Sequence, residues 1–213
     1  VNLYLVRHGE STGNVAGKIQ GWKDFPLSNL GRDQAELVAE YFKELPLDYI
    51  YSSDLIRASE TAEAIATRKN LSVHKWKEVR EVHLGPFQGL SRQEIFEKYP
   101  DAASKTILTS GVEGTETIDE LTKRCQYIVQ QLQIAHKNNN VAIVSHGGFI
   151  SIFLMYLIAG DQWHTLHRPF QIGNTSISHI EWPKNRRNPI FHYVNRTTHL
   201  VTEAKLNSNM RLL

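Results

Sequence analysis

The sequence predicts an α/β fold: a three-layer α/β/α sandwich around a mostly parallel central sheet, with one antiparallel portion and a lid insertion. Three observations carry this. Short β-branched apolar runs alternate with amphipathic helical stretches along most of the chain. Two of those runs, "LYLVRHG" and "VAIVSHG", are apolar enough for buried parallel strands and stop abruptly at a His-Gly pair. Near the end, "SISHIEW" and "IFHYVN" alternate on either side of a Pro-Lys-Asn-Arg-Arg-Asn turn, the pattern of an antiparallel hairpin.

Taken in order, "VNLYLV" reads as a buried strand. "SNLGRDQAELVAEYFKEL" spaces Ala35, Leu37, Val38, Tyr41, Phe42 and Leu45 as one face of a helix. "DYIYSSD" is a short strand, and "DLIRASETAEAIATRK" a helix burying Leu55, Ala58, Ala62, Ile65 and Ala66. "LSVHKW" is a further strand. Residues 83–116 have weaker periodicity and glycines at 85, 89, 111 and 114, and are read as the lid. Within it a short helix is expected over 91–99, capped by Ser91 with Glu94 completing a capping box. "TIDELTKRCQYIVQQLQIAHK" is a long helix, "VAIVS" a buried strand, and 148–158 a helix.

Its 213 residues can bury a substantial core, and with no linker-like or repeated stretch they are read as one domain, 1–213. The net charge of +2 gives no reason to expect a nucleic acid or a membrane as partner. "FISIFLMYLIAG" is shorter than the roughly 20 residues needed to cross a bilayer, so it is expected as a buried helix. Residues 1–10 carry Arg7 and Glu10 and no basic leader, so they are not read as a secretory signal. The chain opens on Val1, so something at its start has been removed or is not included. Cys125 is the only cysteine, which excludes an internal disulfide and favours a reducing, cytoplasmic setting.

Ligands in open parallel sheets bind beyond the carboxyl ends of the strands. If the two His-Gly strands are neighbours, His8 and His146 face one cleft, where Gly9 and Gly147 permit close approach. Each histidine alone is as well explained as a hydrogen-bonded strand-end residue; together, with Arg7 beside one, they are not. Arg57, early in a helix and flanked by apolar residues, would join Arg7 in an anion cradle of guanidinium forks. No metal-binding or Walker-type motif is present, so no metal and no cofactor is expected. An imidazole that takes up a phosphoryl group also needs an acid for the leaving oxygen. Spacing alone does not separate Glu81 from Glu78 for that role.

"LVRHGESTGN", "SSDLIRASETA", "VREVHLGPFQGL" and "VSHGG", in that order, resemble the histidine phosphatase superfamily, also called phosphoglycerate-mutase-like, over roughly residues 3–180. The resemblance implies that His8 is a nucleophile that becomes phosphohistidine. It implies that Arg7, Arg57 and His146 hold phosphoryl oxygens, His146 as a catalytic residue, with Gly147 beside it. Glu81 matches the general acid, while Asn14, Gln20 and, more loosely, Glu116 match pocket positions. Mutases of the family usually read Glu-Arg-His-Tyr-Gly around that acid; here the run is Glu81-Val82-His83-Leu84-Gly85. The departure points toward the broad-specificity phosphatases: a metal-independent phosphomonoesterase acting on a small phosphorylated metabolite, as a monomer or homodimer. A bisphosphate-dependent mutase and a non-catalytic phospho-ligand binder are the alternatives. Trp22, Phe25, Leu84 and Phe87 are expected near the rim.

Overall fold

The computed structural model describes residues 1–104, 106–186 and 188–201. Six strands, β1 (Asn2–Arg7), β2 (Tyr49–Ser52), β3 (Val73–Lys75), β4 (Asn140–Ser145), β5 (Ile177–Glu181) and β6 (Ile190–Arg196), form one sheet in the order β3-β2-β4-β1-β5-β6. Strands β1 to β4 are parallel, and β5 runs antiparallel to both β1 and β6. The expected mostly parallel sheet with one antiparallel portion is what the chain builds. The turn between β5 and β6 includes Arg187, which lies outside the described residues.

Strand β1 shows how the layers arise. Successive side chains of a strand point to opposite faces, and β1 is apolar on both. Leu3 and Leu5 enter one core with Val141 and Ile143 of β4, while Tyr4 and Val6 enter the other with Ala142 and Val144. Helices α2 (Asn29–Lys43) and α3 (Ile56–Lys69) cover the second face through Val38, Phe42, Ala62 and Ile65. Helices α5 (Ile118–Ala135) and α6 (Gly147–Ala159) cover the first through Leu121, Ile128, Ile150 and Phe153. Helix α6 is apolar all round and buried from Gly147 through Met155, the place for a helix with no polar face. Among the described residues no helix is long and apolar enough to cross a membrane.

The short α1 (Thr12–Val15) and several single 3-10 turns were beyond the reach of periodicity, being too short to show a period. Residues 83–116 hold 3-10 turns at Gly85–Phe87, Pro100–Ser104 and Ile107–Thr109 and the helix α4 (Arg92–Lys98), where Ser91 and Glu94 form the expected capping box. Neighbouring register aligns Arg7 of β1 with Ser145 of β4. Both His-Gly pairs therefore leave the sheet side by side.

Candidate active site

His8 follows the last residue of β1. Its backbone is held from three directions: its N–H donates to Ser145 O (3.0 Å), and its carbonyl accepts from Thr175 N (3.3 Å) and Asn174 Nδ2 (3.0 Å). The next residue must be glycine, because a Cβ at Gly9 would collide with the backbone of Gly31 at the start of α2. Gly9 N donates to Thr61 Oγ1 (3.0 Å), tying the turn to α3. The ring of His8 is bonded through Nδ1 to the carbonyl of Gly9 at 2.6 Å. A carbonyl only accepts, so Nδ1 carries the proton and Nε2 keeps the lone pair. Burial, and then the charges of Arg57 and Arg7, hold His8 well below the usual histidine range, so its imidazole is neutral at physiological pH.

His146 precedes α6 as its cap residue, with its ring centroid 5.1 Å from that of His8. Its Nε2 meets Ser53 Oγ at 2.8 Å, and its Nδ1 is buried with no partner among the described residues. Ser53 Oγ accepts from Leu55 N (3.3 Å) and keeps a proton that it can donate to His146 Nε2. With Ser53 as the donor, the ring proton of His146 sits on Nδ1. His146 too lies well below its usual pKa, by burial first and then by Arg57, His8 and Arg7.

The two arginines are fully enclosed. Arg7 is 1% exposed; its Nη1 donates to Ile172 O (2.6 Å), leaving Nε and Nη2 buried without partners among the described residues. Arg57, also 1% exposed, donates from Nη1 and Nη2 to Lys23 O (3.0 Å) and Gly21 O (2.8 Å), leaving Nε. Burial pulls both down to about 10, so both remain cationic at neutral pH. Buried guanidinium N–H groups without partners are costly unless an anion takes them. Gly147 leaves room here, since a Cβ on it would come within 3.2 Å of Arg7 Nε.

Glu81 approaches from the opposite side, across the N-terminus of α6. Its Oε1 accepts from Phe149 N (2.7 Å) and Val82 N (3.0 Å), and its Oε2 from Gly148 N (3.1 Å). A Cβ on Gly148 would sit 2.7 Å from Glu81 Oε1, so glycine is required for this approach. The Glu81 loop is braced from behind. Trp22 Nε1 donates to Glu81 O (2.7 Å), Arg124 Nη2 to Arg80 O (2.9 Å), and Arg80 grips Asp54 through two 2.6 Å bonds. These contacts, all long-range, distinguish Glu81 from Glu78.

His8, Gln20, Gly21, Arg57, Glu81 and Gly148 line a cavity of about 40 Å³, closed by Ile19, Leu84, Arg92, Ile107, Leu108 and Arg168. Of the expected pocket residues, Gln20 lines it directly and accepts from Ser11 Oγ (2.8 Å). Asn14 does not line it; its Oδ1 completes the capping box of α1 by accepting from Ser11 N (3.0 Å). Glu116 does not line it either, being paired with Arg124 (3.0 Å) and bonded to His83 N (2.9 Å) behind the Glu81 loop. Of the four residues expected near the rim, Leu84 lines the cavity, Phe87 is fully buried in the core, Trp22 serves the Glu81 loop, and Phe25 does not line the cavity. Ser53, Arg124, Asn174 and Arg168 were not anticipated. Ser53 lay inside the quoted "SSDLIRASETA" block, so a signal existed for it; Arg124 lay unmarked within a helix the sequence showed, and Asn174 and Arg168 come from a segment with no distinctive spacing. A roomier open groove of about 580 Å³, walled by α2 and α3, carries mixed charges and neither histidine. Among the described residues no cluster of three or more His, Cys, Asp or Glu could hold a metal ion.

The sheet presents two neutral histidines at adjacent strand ends, with two buried, under-bonded arginines from β1 and α3 beside them, an arrangement whose charge and free N–H groups suit a tetrahedral oxyanion. The chain belongs to the histidine phosphatase superfamily (branch 1), whose model matches residues 3–195. It is 40% identical over 154 residues to phosphoglycerate mutase-like protein 4 of Arabidopsis thaliana, covering 70% of this chain and 67% of that one. Phosphoserine phosphatase 1 of Hydrogenobacter thermophilus is 36% identical over 149 residues, covering 68% and 71% respectively. Among solved structures, phosphoserine phosphatase of Entamoeba histolytica in complex with 3-phosphoglyceric acid superposes with a TM-score of 0.77 at 30% identity, covering 93% of this chain and 98% of that one. The family and its phosphatase-named members support phosphatase activity.

Proposed function

We propose that the protein hydrolyses small phosphate monoesters through a phosphohistidine on His8, without a metal or cofactor. The observation that carries this reading is the tautomer of His8. With its proton committed to the Gly9 carbonyl, a neutral Nε2 lone pair is the nucleophile. In the first step Nε2 bonds to phosphorus while the ester P–O bond breaks, its electron pair going to the leaving oxygen. Glu81 gives that oxygen a proton; its Oε2 accepts a single backbone N–H and has room for one. In the second step Glu81 takes a proton from water, the water oxygen bonds to phosphorus, and the N–P bond breaks back onto Nε2. Arg7 and Arg57 supply the free guanidinium N–H groups for the equatorial oxygens, and His146 adds its Nδ1–H. Gln20 borders the pocket in this scheme, and Gly147 gives the phosphoryl group its clearance beside Arg7.

The chain acts in this reading as one domain, as a monomer or homodimer in the cytoplasm, with residues 83–116 as a lid that excludes water. Phosphate release from a panel of small phosphomonoesters after exhaustive EDTA treatment tests it. Turnover that survives chelation, with no isomerised product, is the expected result. Loss of activity restored by one divalent ion contradicts it; isomerisation that outruns phosphate release and requires a bisphosphate makes the protein a mutase.

A further inference from the structure

The segment that leads into β5 meets the end of β1 at four points. Within it Ser176 N closes a turn on Gly173 O at 3.1 Å. Ile172 O accepts from Arg7 Nη1 (2.6 Å) and Ser176 O from Arg7 N (3.1 Å), while Asn174 Nδ2 and Thr175 N both donate to His8 O. The His8–Gly9 peptide is therefore pinned at both ends, since Gly9 N is held by Thr61 Oγ1. The carbonyl that follows, of Gly9, fixes the proton on His8 Nδ1. Rotation of that peptide would move the bond that sets the tautomer.

Thr175 serves this turn in an unfavourable conformation. Its φ is +51, in the left-handed region where a β-branched residue is a genuine outlier. Such a backbone persists only where its surroundings over-determine it, and such places cluster at active sites. The side chain of Thr175 is fully buried, and its Oγ1 meets His199 Nε2 at 3.1 Å. His199 stands in the 3-10 turn Thr198–Leu200 after β6, with its ring 5.8 Å from that of Tyr41 of α2. Its Nδ1 is buried with no partner among the described residues, and burial lowers its pKa to about 4, so the ring is neutral. The hydrogen bond this buried ring makes goes to Thr175.

We propose that His199 is a positioning residue for the reaction: its bond to Thr175 Oγ1 holds the left-handed turn that orients the His8–Gly9 peptide, and through it the nucleophilic nitrogen. This role rests on the phosphohistidine reading for its effect on turnover, but not for its effect on the His8 ring.

His199→Phe keeps a buried ring and loses the Nε2 contact. It should lower kcat for p-nitrophenyl phosphate about tenfold, the scale of one hydrogen bond, with KM within about twofold. His199→Gln, which keeps a polar group toward Oγ1, should lose less. In the ligand-free His199→Phe protein the ¹⁵N signals of His8 should pass from one Nδ1–H tautomer to a mixture. Glycine adopts a positive φ unaided, so His199→Phe made in Thr175→Gly protein should cost less than about twofold. A residue that only packs would cost the same in either background. Equal cost in both backgrounds, unshifted His8 signals, or full turnover in His199→Phe overturns the proposal. The urea midpoint of each variant keeps unfolding from being read as lost activity. If the unaltered protein fails to turn over p-nitrophenyl phosphate, the phosphatase reading falls, while the His8 spectra still decide the role of His199.

Discussion

The ends of β1 and β4 carry nearly the same letters, Arg7-His8-Gly9 and Ser145-His146-Gly147, and the fold makes them chemical opposites. His8 spends Nδ1 on its own turn, at the carbonyl of Gly9, and keeps Nε2 unprotonated. His146 spends Nε2 on a hydroxyl from another segment, Ser53, and with that hydroxyl as donor it keeps a protonated Nδ1. One ring is left as an electron-pair donor, the other as a hydrogen-bond donor. Both are buried beside the same two arginines and both are neutral, so the difference lies in which nitrogen the second contact occupies. Matching motifs at matching strand ends do not carry matching roles; the hydrogen-bond partner decides.

The largest test of this asymmetry is to delete each ring in turn. In the proposed mechanism His8→Ala removes the nucleophile and should lower kcat by roughly 10⁴-fold or more, as loss of a nucleophile does elsewhere. In the same mechanism His146→Ala removes one oxyanion donor and should cost roughly 10²- to 10³-fold. Steady-state turnover of p-nitrophenyl phosphate checks both; equal losses would mean the rings are not differentiated. Ser53→Ala sharpens the point. It leaves both rings in place but frees the tautomer of His146, and should cost about tenfold, mostly in kcat, with imidazole nitrogen shifts reporting mixed protonation. A wild-type ¹⁵N spectrum in the variant would mean that Ser53 does not set the tautomer.

The smallest effect concerns what the two histidines share. Each titrates near 6.5 when unfolded and well below that when folded, so the unfolded chain binds more protons in between. Their contribution to stability is complete above about pH 6.5 and is lost as pH falls below it. His179 and His199, both lowered to about 4 by burial, act in the same direction. The urea midpoint should fall between pH 7.5 and 5, and His146→Gln should flatten that slope. A midpoint that rises on acidification would contradict the buried neutral state.

How much of this was legible in the sequence follows from how local each signal is. The strands and long helices were readable because β1 and α6 are short unbroken apolar runs while α2, α3 and α5 each carry an apolar period; Ser28, Ser91 and Thr117 stand as N-cap residues at the starts of α2, α4 and α5. Arg7, His8, Arg57 and His146 could be read because they lie where such elements begin or end. Glu81 came from the family resemblance alone, because its role depends on meeting the N-terminus of α6, 67 residues away in sequence. Arg168 and Asn174 left no trace in local pattern: one is marked by backbone conformation, the other by a bond to a distant carbonyl. Asn14 and Glu116, both expected in the pocket, are instead occupied by a helix cap and by Arg124.

The central claim is that the phosphoryl group passes through one nitrogen of one ring. Rapid quench with labelled substrate, followed by proteolysis and mapping under alkaline conditions that preserve phosphohistidine, reads this directly. The label is expected on the peptide containing His8, as the Nε2-phosphorylated isomer, and absent from His8→Ala. Label on His146, on Nδ1 of His8, or undiminished in His8→Ala would contradict the account.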